Sequence, residues 1–324
     1  MMAGPSPAYL ERKSRGRVLG ALVRGADSDL AYSFRRNPIV IVAAIVTLLF
    51  FIGAAFAGWI APHTPFDPST LNLSDAEKPP AWVAGGDISY ILGTDNQGRD
   101  IFSTLLYGSR LSLIVGFSAV IFSIVLGVGL GLSAGYFGGW YEAIIMRAAD
   151  VQLTLPSILV ALMVDGVARA IFAGTDIKTN AEFAIYVLIF AIGISNWPQY
   201  ARVVRSTTLV EKSKDYVAAA RIIGIPSWQI MLRHVLPNTL GPVLVIGTIG
   251  LALAVITEAT LSFLGVGIPP TQPSLGTLIR VGQEFLFSGQ WWITLFPALA
   301  LVLLVLAVNL MGDWLRDALN PKLR

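Results

Sequence analysis

The chain contains no cysteine, only two histidines and few charges. Asp, Glu, Lys and Arg make up 13% of its 324 residues, against about 25% in a soluble domain whose surface must stay hydrated. The absence of cysteine excludes disulfides, Cys-ligated zinc, iron–sulfur clusters and thiol nucleophiles. His63 and His234 stand far apart, without carboxylates at ligand spacing, so no metal site is expected. No Gly-Lys pair occurs, which excludes a phosphate-binding loop. Neither a Gly-x-Ser-x-Gly elbow nor a His-Glu-x-x-His pair is present, so no catalytic residue and no cofactor are expected.

What the chain has instead is apolar length, with 55% hydrophobic residues gathered in blocks. A membrane-spanning helix needs roughly 20 predominantly apolar residues. Six runs qualify as candidates: Ile39–Ile60, Leu111–Tyr136, Leu153–Ala173, Phe183–Trp197, Asn238–Gly265 and Trp292–Met311. They predict an all-α polytopic membrane protein. Its expected parts are a tail over 1–38, a first span over 39–60, a loop over 61–110, a core over 111–312 and a tail over 313–324. The first run follows Arg35-Arg36-Asn37-Pro38, and Pro38 suits a first helical turn. A cleaved signal peptide competes for this run. Its length and the 38 residues before it fit an uncleaved anchor better. The second run is rich in glycine (Gly116, Gly127, Gly129, Gly131, Gly135), which lets helices approach closely in lipid. The third is interrupted by Asp165 and Arg169, and the fourth is short, ending at Pro198.

Lysine and arginine mark the orientation. They collect before Ile39 (Arg12, Lys13, Arg15, Arg17, Arg24, Arg35, Arg36), between Arg202 and Arg233, and in the tail (Arg316, Lys322, Arg324). With six spans these three segments share one side, predicted to be cytoplasmic, so both termini lie there. The loop over 61–110 carries Asp67, Asp75, Glu77, Asp87, Asp95 and Asp100 against Lys78 and Arg99, and is expected outside.

The segment 202–237 is not a generic linker. Tyr216, Val217, Ala220 and Ile223, and after Gly224-Ile225-Pro226 also Ile230, Met231, Leu232 and Val235, are apolar at helical spacing. Gly224 can end one helix in a left-handed conformation, and Pro226 or Ser227 can start the next. Two functions are open to such a pair: insertion into a groove on a partner, or rest on lipid headgroups.

Its residues carry a resemblance. Ala218-Ala219-Ala220, three residues, Gly224, nine residues and His234-Val235-Leu236-Pro237 resemble the cytoplasmic motif of binding-protein-dependent ABC importer permeases. That motif reads Glu-Ala-Ala, three residues, Gly, nine residues, Ile-x-Leu-Pro. Ala218 replaces its Glu, and His234, followed by Asn238, is similar to the dipeptide and oligopeptide branch. Leu92-Gly93-Thr94-Asp95-Asn96-Gln97-Gly98-Arg99-Asp100, Tyr107–Leu113, Gly135–Gly139, Leu261–Gly265 and Asn309–Leu319 resemble further signatures of its C-type member, so the likeness runs from about Phe34 to the end.

The resemblance implies a type I importer permease fold and half of a pathway for peptides, nickel, opines or sugars. Implied partners are a homologous second permease, two ATP-binding subunits and a solute-binding protein, with the lipid bilayer around them. Asp215, Tyr216, Ala218, Ala219, Ala220, Arg221, Gly224, His234, Leu236 and Pro237 are then the residues expected to couple to the ATPase. With the motif's Glu missing, either Glu211 or Asp215 substitutes, or docking rests on apolar contact.

Charges within spans are candidate pathway residues. Asp165 and Arg169, spaced i, i+4, either neutralise one another or line the path. Glu258 lies 21 residues beyond Pro237, roughly 31 Å along a helix, which places it at the outer mouth or among headgroups. Asn196 flanks Trp197-Pro198 at a gate or at the water boundary. An ion-coupled carrier is the competing class, which typically shows several buried carboxylates and internal repeats.

Overall fold

The computed structural model describes residues 29–67, 71–172, 181–269, 272 and 274–318. Outside these lie Arg12, Lys13, Arg15, Arg17, Arg24, Ala173, Lys322 and Arg324. Among the described residues the chain is helical, with one isolated bridge between Thr94 and Asp100 and no strand.

A short α1 (Asp29–Arg36) leads into α2 (Pro38–Ala55). The Asn37 side chain accepts from the amides of Ile39 and Val40 at 3.2 and 3.4 Å, satisfying two of the helix's orphan donors ahead of Pro38. The helix breaks at Phe56, and α3 (Ala57–Ile60) completes the first apolar run. Helix α4 (Ile101–Phe137) is 37 residues, about 55 Å long. It begins ten residues before Leu111, the expected start, because Asp100 caps it through the Ser103 amide at 2.9 Å. The polar Ser103, Thr104, Ser109 and Arg110 had hidden that beginning.

The expected straight third span is corrected. The segment forms α5 (Gly139–Leu153) and α6 (Ser157–Ile171), bent by 98°. Pro156 biases Leu155 away from helical geometry and ends the ladder there. Helix α6 alone, about 22 Å long, is too short to cross about 30 Å of hydrocarbon. Together the pair passes from Glu142, bonded to Arg205 at 2.6 Å, to Arg169, bonded to the Gly267 carbonyl at 3.1 Å. By length and composition the pair counts as one broken crossing.

Helix α7 (Ala181–Glu211) does not end at Pro198 but runs through it. Proline there removes the bond to the carbonyl of Ile194. The Gln152 side chain supplies it instead, donating Nε2 to that oxygen at 2.5 Å and accepting Trp197 Nε1 at 2.9 Å. After α8 (Asp215–Ile222) and α9 (Ser227–Ile230) the chain enters α10 (Leu236–Phe263). A short α11 (Leu275–Gln283) folds back before α12 (Trp292–Ala318). Helices α2, α4, α5–α6, α7, α10 and α12 make six crossings.

The most extensive seam joins α4 to α7. A Cβ at Gly127 would lie 2.6 Å from Tyr200 Cβ, at Gly131 2.4 Å from the Ala201 carbonyl oxygen, and at Gly135 2.8 Å from Thr208 Cβ. These glycines share one helix face at i, i+4, i+8 spacing. Gly129 lies off that face and meets nothing. Gly116 makes the equivalent approach to Val255 on α10.

Gly131→Leu should therefore separate α4 from α7 at a cost of about 3 kcal/mol, and Gly129→Leu should be near neutral. Thermal melting of the detergent-solubilised protein tests this, and equal melting points for the two variants would contradict the seam. Gln152→Leu should cost about 1–3 kcal/mol by leaving the Ile194 carbonyl unpaired. An unchanged melting point would show that another group satisfies that oxygen.

Candidate functional site

Helix α8 ends in a Schellman turn. Gly224 takes φ +83°, its amide bonds to the Arg221 carbonyl at 3.0 Å, and the Ile225 amide bonds to that of Ala220 at 3.1 Å. The turn sends α9 away at Pro226, whose extended conformation starts the second helix. A side chain at Gly224 would meet open space, so the position demands glycine through its backbone conformation and not through crowding.

One face of this helix pair is inside. Val217, Ala220, Ile230 and Val235 are buried against Leu132 and Tyr136 of α4, Tyr200 and Val204 of α7 and Val243 of α10. The Arg221 guanidinium sits 5.2 Å over the Tyr136 ring, and Lys212 Nζ bonds to the Gly135 carbonyl at 2.7 Å at the end of α4. The other face is bare. Asp215, Ala218 and Ala219 point outward, followed by Ile222, Ile223 and Trp228, exposed by 87%, 78% and 64%. These large apolar side chains form an open patch set among Lys214, Arg221 and Arg233.

At the base of the pair the chain widens into a π turn over Met231–Val235, in which the Leu236 amide bonds back to Met231. Pro237 accounts for it, because a regular helix would drive the proline ring into the Arg233 carbonyl. Here a chain of hydrogen bonds forms. Asn238 Nδ2 donates to the Tyr216 hydroxyl at 3.1 Å and to the His234 carbonyl at 2.8 Å. The Tyr216 hydroxyl donates to Glu211 Oε2 at 2.6 Å, and Lys214 Nζ holds Glu211 Oε1 at 2.6 Å. Burial first, then the bond to Glu211, pushes the Tyr216 phenol above its ordinary pKa, so it remains a proton donor at neutral pH. Glu211, 8% exposed with both oxygens engaged, does not reach outward in place of the motif's Glu, whereas Asp215 is exposed in the first turn of α8.

The charges within the spans lie elsewhere. Asp165 is fully buried, and Arg169 clamps it with two bonds of 2.6 and 3.2 Å while also holding the Gly267 carbonyl. The pair ties α6 to the turn after α10. Asn196 Nδ2 bonds to the Ile192 carbonyl one turn back at 2.9 Å. Glu258 is fully buried, accepting from Ser112 at 2.6 Å and Ser262 at 2.7 Å. Ser112 also receives the Leu275 amide at 3.3 Å, so folding back of α11 encloses the carboxylate.

The 92–100 signature forms a staple on the far end of the bundle. Asp95 accepts the amides of Gln97 and Arg99 at 2.8 and 2.9 Å and pairs with Arg99 Nε at 2.6 Å, while Trp292 Nε1 reaches the Thr94 carbonyl at 3.1 Å. Nearby, Lys78 bonds Asp75 at 2.7 Å and Asp87 at 3.1 Å. The bond from Lys78 is the main cause that holds Asp75 below the usual carboxylate range. Sequence reasoning missed Trp228, Lys212 and Gln152 as functional or supporting residues. The offset of Gln152 from Pro198 carries no pattern, whereas Trp228 could have been noticed as a tryptophan two residues after the helix-starting Pro226.

Residues 127–324 match the family described as binding-protein-dependent transport system inner membrane component, and residues 28–80 match the N-terminal TM domain of oligopeptide transport permease C. The chain is 43% identical over 291 residues to the dipeptide transport system permease protein DppC of Escherichia coli strain K12, covering 90% of this chain and 91% of that protein. It is 38% identical over 294 residues to DppC of Haemophilus influenzae, covering 90% and 94%. A di/tripeptide transport system permease protein of Pseudomonas aeruginosa is 38% identical over 292 residues, covering 90% and 91%. In fold, the chain is similar to an inward-facing structure of the MetNI methionine ABC transporter, with TM-score 0.51 and 22% identity over 67% of this chain and 96% of that one. With its six helical crossings and these matches along nearly its whole length, the chain belongs to the binding-protein-dependent transport system inner membrane component family, as a multi-pass permease subunit of an ABC importer.

Proposed function

We propose that the chain forms half of a pathway for short peptides and couples it to ATP hydrolysis through α8 and α9. It pairs with a homologous second permease, with two ATP-binding subunits beneath and a solute-binding protein above. Both termini and the α8–α9 pair face the cytoplasm, in keeping with Arg35, Arg36, Arg202, Arg205 and Arg233 on one side. Dipeptide and di/tripeptide permeases at 38–43% identity support a peptide substrate.

The observation that carries the reading is the two-sided helix pair. Its inner face is packed on α4, α7 and α10, and its outer face offers Ile222, Ile223 and Trp228 with small Ala218 where the motif has Glu. Docking rests on shape and apolar contact, with Asp215 the acidic side chain left at the surface. An apolar tip seated in an ATPase groove moves with that subunit, and the packed inner face passes the motion to three spans.

Co-purification and uptake assays test this with the chain, its cognate second permease, ATPases and binding protein reconstituted in vesicles. Uptake of a labelled dipeptide should require ATP; uptake by this chain alone, driven by an ion gradient, would contradict the assignment. Trp228→Asp should weaken retention of the ATPase subunits at least tenfold, about 1.4 kcal/mol. Gly224→Val forces a β-branched residue to positive φ at about 1–2 kcal/mol and should lower peptide imported per ATP. Normal import by both variants would remove α8 and α9 from the coupling path.

A further inference from the structure

We infer that Tyr216 is a positioning residue whose hydroxyl ties the coupling helix to the spans on both sides of it, bypassing the π turn. This deepens the coupling reading and rests on it. Tyr216 is the second residue of α8, Glu211 the last of α7 and Asn238 the third of α10. The bonds Asn238 Nδ2 to Tyr216 Oη (3.1 Å) and Tyr216 Oη to Glu211 Oε2 (2.6 Å) join three elements at one oxygen.

The covalent routes out of α8 differ in stiffness. Toward α7 only residues 212–214 intervene, and Lys212 and Lys214 are both bonded at the junction, to the Gly135 carbonyl and to Glu211. Toward α10 the path runs through the Gly224 turn, α9 and the widened turn at Met231–Val235. A π turn lacks the regular i to i−4 ladder and can absorb displacement by repacking its own bonds. Without a shortcut, motion of α8 would be taken up there before reaching α10. The Tyr216–Asn238 bond is that shortcut. Asn238 is held for it by its second proton, which bonds to the His234 carbonyl within the same turn at 2.8 Å. The single phenolic proton has two acceptors in reach, Glu211 Oε2 at 2.6 Å and the His234 carbonyl at 3.3 Å, and goes to the nearer, charged one, so Tyr216 accepts from Asn238 and an acceptor at 238 does not replace the amide.

The experiment uses the complete importer in vesicles and measures labelled dipeptide imported per ATP hydrolysed. Tyr216→Phe keeps the ring and removes the hydroxyl, and Asn238→Asp keeps the shape and removes the donor. Each should lower the ratio by about 2-fold to 10-fold, the worth of one or two hydrogen bonds, while subunit composition and melting point stay near those of the parent. The double variant should be no worse than the poorer single one, because both break one chain of bonds. A parental ratio in Tyr216→Phe, or additive losses in the double variant, would overturn the inference. Lower melting point and lost assembly at an unchanged ratio would also overturn it, since that is what a purely structural role produces. Trp228→Asp separates the two layers. If it leaves assembly and import intact, the coupling reading itself fails; if it abolishes them while Tyr216→Phe couples normally, only the role of Tyr216 falls.

Discussion

The approach of α4 to α7 through Gly127, Gly131 and Gly135 is the contact on which the rest of the molecule depends. In lipid, apolar side chains gain little by leaving their surroundings, and helices are held by close backbone packing and by hydrogen bonds between them. With no Cβ on that face of α4, Ala201 and Thr208 of α7 come against its backbone. The seam puts the end of α4 beside the end of α7, where Lys212 bonds to the Gly135 carbonyl. The roof of Leu132, Tyr136, Tyr200 and Val204 over α8 follows from it. Helix α8 is positioned by a packing feature that begins well inside the membrane-spanning part of the chain.

A second constraint is that each backbone carbonyl within the bilayer needs a partner. Pro198, Pro242 and Pro297 stand inside helices and Pro237 at the start of one, and at Pro198 and Pro237 a side-chain amide bonds to a carbonyl of the interrupted turn. Pro198 leaves the Ile194 carbonyl open, and Gln152 fills it from α5. Pro237 forces a π turn, and Asn238 closes the His234 carbonyl within it. In each case the repairing amide makes a second bond, to Trp197 or to Tyr216, and so joins the interrupted helix to something else. Helix breaks thereby become joints between elements.

The long apolar runs that became α2, α10 and α12 were legible, because a spanning helix facing lipid leaves a long apolar stretch in one place. The turn at Gly224 was legible too, since its φ of +83° calls for glycine and the spacing around it is local. The α5–α6 crossing was not. Glu142 and Asp150 make α5 look like a soluble segment, and their partners Arg205 and Arg202 lie far off in sequence on α7. The surroundings of Glu258 were not legible for a related reason. Counting residues from Pro237 measured its distance along α10, but its surroundings are set by Ser112 and by the return of α11, which no count along one helix reveals. Asp165 and Arg169 were paired from spacing alone, while their tie to Gly267 appears only in three dimensions.

In the proposed reading, the outward face of α8 meets an ATPase subunit. Because the chain has no cysteine, one introduced by Ala218→Cys on that exposed face would be its single thiol. In the assembled importer, a short thiol-to-amine cross-linker at this position should join the chain to an ATP-binding subunit, with a yield that changes when ATP is added. A cross-link formed only to the second permease or to lipid, with none to the ATPase in any nucleotide state, would contradict the account.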